Sequence, residues 1–237
     1  MWVRSGVLLL LMCVNGLGST AESISIYPTT LILENNTGIG TLTIENRSDH
    51  TATYEFAGYQ WTQSDKGDEL ALDKSFVISP PVVSLQPGEA KIVRMGLLSS
   101  ARSTTETEKS YRLRISELSS PATISNANLK VKLQLLLPVF SGAPNTDQDL
   151  ELSAVKRADG QTCIEGSNHA SSHTKLIWLS RSAPSSDKTP VQKYILADSH
   201  GTLCTDANYN VGDKLTVGTS TAYRNEIRPY EITVLAP

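Results

Sequence analysis

The sequence predicts an all-β protein. Three observations carry that prediction. Thr, Ser, Val, Ile, Leu and Tyr recur in short runs punctuated by Gly, Pro and Asn, which is the texture of strands joined by turns. Several runs alternate apolar and polar residues with period two. No segment keeps the 3.6-residue apolar period of a long amphipathic helix.

In order along the first half, strands are expected at residues 23–33, 40–46, 51–61, 76–78, 91–97, 111–118 and 129–140. In the second of these, Leu42 and Ile44 oppose Thr41, Thr43 and Glu45. In the third, Tyr54 and Phe56 oppose Thr53 and Glu55, so one face is buried and the other wet. About seven short strands in a little over 100 residues fit an immunoglobulin-like sandwich. Gln86-Pro87-Gly88-Glu89 has Pro and Gly at the centre of a type II turn. Pro80-Pro81 marks a break, because proline cannot donate to a central ladder.

Ser141-Gly142-Ala143-Pro144-Asn145 is small and turn-prone and follows a strong apolar run, so it is the expected domain boundary. The expected organisation is a leader at 1–21, a first domain at 22–141, a linker at 142–146 and a second domain at 147–237. In the second half, strands are expected at 150–157, 161–165, 175–179, 192–196, 214–217 and 230–235, with a Ser- and Pro-rich loop over 180–190.

The N-terminus reads as a secretory leader. Arg4 precedes an apolar stretch, and Ser19-Thr20-Ala21 ends it with small residues, so cleavage is expected after Ala21. The stretch is shorter than the roughly 20 residues that span a bilayer. Met12 before Cys13 argues against a lipidated cysteine. The mature chain is expected to be soluble, without stable membrane insertion. Its Cys163 and Cys204 form an even pair in an oxidising compartment, so a disulfide is expected.

Composition excludes several function classes. With 21 Lys+Arg against 24 Asp+Glu the chain has no overall basic field for nucleic acid. It lacks HExxH, GxSxG, Walker and dinucleotide-binding motifs. His169 and His173 are four apart, but in a Ser-rich stretch they read as solvated loop histidines rather than metal ligands. Neither an enzyme nor a cofactor is expected.

The unusual segment runs from Asn128 to Phe140. Leu129, Val131, Leu133, Leu135, Leu137 and Val139 make one parity wholly apolar. The other begins Lys130, Lys132, Gln134 and turns apolar at Leu136. Typical strands span about six residues; this one is about twice as long. It is either a long core strand or an edge offered to a partner by β-augmentation. Arg94, Arg112 and Arg114 lie on nearby strands, where a pair of cations could hold a carboxylate.

At these residues the chain resembles the periplasmic pilus-assembly chaperones of the chaperone–usher pathway. The resemblance rests on Ile24-Ser25-Ile26-Tyr27-Pro28, Leu42-Thr43-Ile44-Glu45-Asn46, Phe76-Val77-Ile78-Ser79-Pro80-Pro81, the 86–89 turn running into Ile92-Val93-Arg94, and Tyr111-Arg112-Leu113. The ending Leu137-Pro138-Val139-Phe140 looks like the archaic subclass. The resemblance implies two immunoglobulin-like domains in a boomerang. It implies partners, namely pilin subunits and an outer-membrane usher, and a periplasmic location. The last strand of the first domain would complete a subunit that lacks a strand, with Leu129, Val131, Leu133 and Leu135 as donors. A basic pair in the cleft would bind the subunit's C-terminal carboxylate. The arginine expected in the first strand and the lysine near the end of the lending strand are both missing here, so Arg94 and Lys132 are the expected pair, with Lys130, Arg112 and Arg114 as substitutes. The rival reading is a secreted immunoglobulin-like binding or adhesion module without a pilus role.

Overall fold

A computed structural model of the chain describes residues 24–33, 37–64, 66–101, 107–118, 132–142, 148–181, 188–207, 209–221, 223 and 226–237. The first half holds β1 (Ile24–Tyr27), β2 (Leu31–Leu33), β3 (Ile39–Asn46), β4 (Ala52–Ser64), β5 (Gly67–Leu72), β6 (Phe76–Ser79), β7 (Val82–Leu85), β8 (Ala90–Leu97), β9 (Lys109–Glu117) and β10 (Gln134–Ser141). One sheet runs β1-β3-β8-β6 and the other β2-β10-β9-β4-β5, with β7 also on β4. Alternate residues of facing strands make the core: Leu42, Ile44, Tyr54, Phe56, Val93, Met95, Leu113, Ile115 and Val139.

The expected strand at 23–33 is two strands. The chain breaks at Pro28, which has no N–H to give a ladder. Its first part pairs with β3 and its second lies parallel to the end of β10, so the N-terminal segment switches sheets. Pro80-Pro81 likewise separates β6 in one sheet from β7 in the other. In the expected turn, the Glu89 N–H donates to the Gln86 carbonyl at 3.0 Å, and Gly88 takes the positive φ of 75° that type II requires.

β5 and β7 were not expected from sequence. β5 is a hairpin arm with no buried face, so it lacks alternation. β7 has four residues hard against the two prolines.

The second half adds β11 (Leu150–Lys156), β12 (Thr162–Asn168), β13 (Thr174–Ser180), β14 (Thr189–Ile195), β15 (Ser199–Thr205), β16 (Lys214–Ser220) and β17 (Arg228–Leu235). Their order is β14-β13-β16-β17-β11-β12-β15, around a core that includes Ile164, Leu176, Leu179, Leu215, Val217 and Val234. Pro190 falls inside β14, which is tolerated because β14 is an edge. Cys204 lies on the unexpected strand β15, directly opposite Cys163 on β12, and the two are disulfide-bonded.

Candidate functional site: an open strand edge and a cationic cleft

β10 pairs with β9 along its whole length, from Gln134 opposite Ser116 to Ser141 opposite Lys109. Its other edge is covered by β2 only at Val139, Phe140 and Ser141. Among the described residues, the outer edge of 134–138 therefore has no strand beside it. An unpaired edge is a template for another chain, and proteins normally blunt it. Pro138, without an N–H, stands where the pairing to β2 stops.

The two parities of this strand face different surroundings. Val139 is fully buried, and Leu137 and Leu135 pack half-buried against the first-domain core. Leu133 continues that parity; its carbonyl accepts from the Glu117 N–H at 3.0 Å, which extends the ladder one step beyond β10. On the other parity Gln134 is exposed and Leu136 is 42% exposed. Lys132 is described and exposed. Leu129, Lys130 and Val131 lie outside the described residues.

The outer face of this sheet carries the cations. Tyr111, Leu113 and Ile115 point into the core, so period two turns Arg112 and Arg114 outward. Arg112 is flanked by Tyr59 on β4 and Pro138 on β10. Trp61, also outward on β4, is only 2% exposed because the second domain covers it. It clusters with Phe140, Leu196 and Tyr194, with ring centroids 6.2 Å from Phe140 and 5.7 Å from Tyr194. The Arg112 guanidinium lies 3.6 Å from the Trp61 ring centroid and 5.7 Å from that of Tyr194. Burial lowers the Arg112 pKa, while the charge of Asp68 works against that shift. Arg114 stands 5.2 Å over Tyr59 and 3.8 Å from Glu55, and Lys175 lies 5.3 Å from the Tyr194 ring.

Polar contacts fix the two domains around this cleft. The Gln63 side-chain amide donates to the Tyr194 carbonyl at 2.9 Å and to Asp68 at 2.8 Å, and its oxygen accepts from the Leu196 N–H at 2.9 Å. Lys193 completes the group with an ion pair to Asp68 at 3.2 Å. Deeper in, Glu108 Oε1 accepts from the His173 backbone N–H at 3.1 Å and lies 2.8 Å from His173 Nδ1. Glu108 Oε2 accepts from the Tyr223 hydroxyl at 2.9 Å. Burial, then the Glu108 charge, pushes the Tyr223 phenol up. The His173 ring stacks on Phe140 with centroids 3.6 Å apart. His173 is thus a buried joint residue, not the solvated loop histidine expected from its Ser-rich neighbourhood.

The expected anchor pair is not brought together. Arg94 sits on β8 between Thr41 and Ser79, exposed on the outer face of the other sheet beside an apolar groove lined by Ile39, Val77 and Leu98. Lys132 lies at the foot of β10. Of the substitutes, Arg112 stands at the joint beside Tyr194, and Arg114 lies further along the same outer face, beside Tyr59 and Glu55. The alternation of residues 111–115 already places them there, whereas Trp61, Glu108, His173 and Tyr194 carry no local signal of their role. Among the described residues, no group of three or more His, Cys, Asp or Glu side chains is placed to hold a metal ion, and no helix is long and apolar enough to cross a membrane.

Comparison with known proteins gives one family. The family described as "Pili and flagellar-assembly chaperone, PapD N-terminal domain" matches residues 23–145. No curated protein matches the sequence. Among solved structures, a chain of the CsuC–CsuE chaperone–tip adhesion subunit complex of archaic Csu pili from Acinetobacter baumannii is 18% identical, with a TM-score of 0.69 over 90% of this chain and 100% of that one. The E. coli chaperone DraB is 15% identical, with a TM-score of 0.60 over 88% of this chain and 96% of that one. A chain of the Salmonella enterica SafA pilin–SafB chaperone complex is 12% identical, with a TM-score of 0.62 over 89% and 96%. At these identities the likeness is one of fold: two immunoglobulin-like domains, arranged as in these proteins.

Proposed function

Because the chain belongs to the pili and flagellar-assembly chaperones, we propose that it works in the periplasm, captures fibre subunits by lending them a strand and delivers them to an outer-membrane usher. The observation that carries this reading is the open edge of β10. An added strand would gain main-chain hydrogen bonds along 134–138, and alternate apolar side chains would give it specificity.

The donors are Leu129, Val131, Leu133 and Leu135. Val139, Leu137 and Leu135 already belong to the first-domain core, so residues of the same parity further down the strand would carry that core into the subunit. For the carboxylate anchor we choose Arg112, with Arg114 further along the same face, in place of Arg94 and Lys132. A carboxylate entering the cleft would meet a guanidinium already stripped of part of its water, where charge-assisted hydrogen bonds are strong. We assign 1–21 to a leader cleaved after Ala21, 22–141 and 147–237 to the two domains, and 142–146 to their linker. The interval between the end of β10 at Ser141 and the start of β11 at Leu150 supports that division.

Co-expression with a secreted pilin subunit tests the reading. Leu133→Asp would place an ionised group unpaired in an apolar groove, and Arg112→Ala would remove the anchor. Both variants should fold and lose subunit on co-purification. Wild-type recovery of subunit by folded Leu133→Asp would overturn the strand-lending assignment.

A further inference from the structure

We propose that Trp61 is a positioning residue that, with Tyr194 of the second domain beside it, holds the Arg112 guanidinium for carboxylate binding. The proposal rests on the reading of Arg112 as the anchor.

Among the described residues, no carboxylate forms an ion pair with Arg112. Asp68 attracts it from beyond contact, and its Oδ1 is already engaged by Gln63 and Lys193. The Trp61 indole holds the guanidinium carbon 3.6 Å from its ring centroid. A stacked guanidinium has one face covered and keeps its N–H edge free, and that edge is the fork a carboxylate engages bidentately. Trp61 cannot swing aside, because Phe140 and Tyr194 hold its ring.

Tyr194 ties this arrangement to the domain joint. Its ring lies 5.7 Å from the Arg112 guanidinium on the side contributed by β14, and its carbonyl is tied back to Gln63. Docking of the two domains therefore adds a second aromatic ring beside a cation that Trp61 already covers. This hold uses aromatic rings, not hydrogen bonds. The buried Trp61 N–H has no partner among the described residues, so phenylalanine at this position sacrifices no bond.

The test uses the 15N-labelled mature chain and follows the Arg112 Nε–Hε resonance, assigned by its disappearance in Arg112→Lys. Acetate is titrated at constant ionic strength, with acetamide as the uncharged control. The wild type should show a saturable shift with acetate and none with acetamide. Trp61→Phe should bind acetate within about 1.5-fold of wild type, Trp61→Leu about fivefold more weakly, and Tyr194→Leu about threefold more weakly. A folded Trp61→Leu with wild-type acetate affinity overturns the positioning role and leaves the anchor standing. Absence of a shift in the wild type overturns the anchor itself. If Trp61→Leu does not fold, Tyr194→Leu decides, and wild-type affinity there overturns the positioning role.

Discussion

Replacing Glu108 with alanine should loosen the joint between the domains. The Glu108 side chain is 0% exposed and that of His173 1% exposed, so neither can turn to water. The carboxylate holds three donors: the His173 backbone N–H, the His173 ring and the Tyr223 hydroxyl. Orphaning a buried donor costs about 1–3 kcal/mol, and Glu108→Ala orphans three of them. These losses share one cavity and do not add in full, so about 3–5 kcal/mol is expected from Glu108→Ala. Glu108→Gln keeps the shape and one acceptor, and about 1–3 kcal/mol is expected. Trp61 lies in the joint, so its fluorescence in a Trp178→Phe background of residues 22–237 reports docking, while far-UV circular dichroism reports the strands. A two-domain chain need not unfold in one step. The expected result is a Trp61 transition that moves to lower urea ahead of the dichroism. A Trp61 midpoint in Glu108→Ala within about 0.5 kcal/mol of wild type would refute the idea that this cluster holds the joint.

Three further outcomes are expected. A Cβ at Gly58 would collide with the Phe76 ring, so Gly58→Ala should cost about 1–3 kcal/mol, read as a lower melting temperature. Cys163→Ser with Cys204→Ser opens a bridge spanning 41 residues, and chain entropy puts the loss at about 4 kcal/mol, read by melting with and without reductant. Burial, with a lesser push from Asp73, raises the Tyr111 phenol to about 12. A raised folded pKa gives stability that is whole below the unfolded value near 10 and is lost as pH climbs towards 12. Melting temperature against pH should fall across that window, and Tyr111→Phe should flatten the fall; tyrosinate absorbance from folded Tyr111 at pH 10 would contradict it.

Much of the fold is legible because period-two alternation is a local signal. Leu42 and Ile44, Tyr54 and Phe56, and Tyr111, Leu113 and Ile115 all point where their spacing says. The failures have local causes too. β5 has no buried face to write into the sequence, and β15 interrupts its pattern with His200 and Gly201. The edge of β10 is half legible: its length and apolar parity are visible, but that β2 covers only three of its residues is a fact of topology. The cleft is least legible. Arg94 is drawn from a basic strand with no information on which sheet faces the second domain. Trp61, Glu108, His173 and Tyr194 come from four separate segments, and only folding makes them neighbours.

The central claim is that the outer edge of β10 is where a subunit adds its strand. Amide hydrogen exchange of this chain, free and in complex with a co-purified pilin subunit, tests it at the residue concerned. In the free chain, the amides of 134–137 that face away from β9 should exchange fast, while those bonded to β9 stay protected. In the complex the account predicts that the fast set becomes protected by about a hundredfold or more, as paired strands are. A stable complex in which those amides still exchange as in the free chain would contradict it.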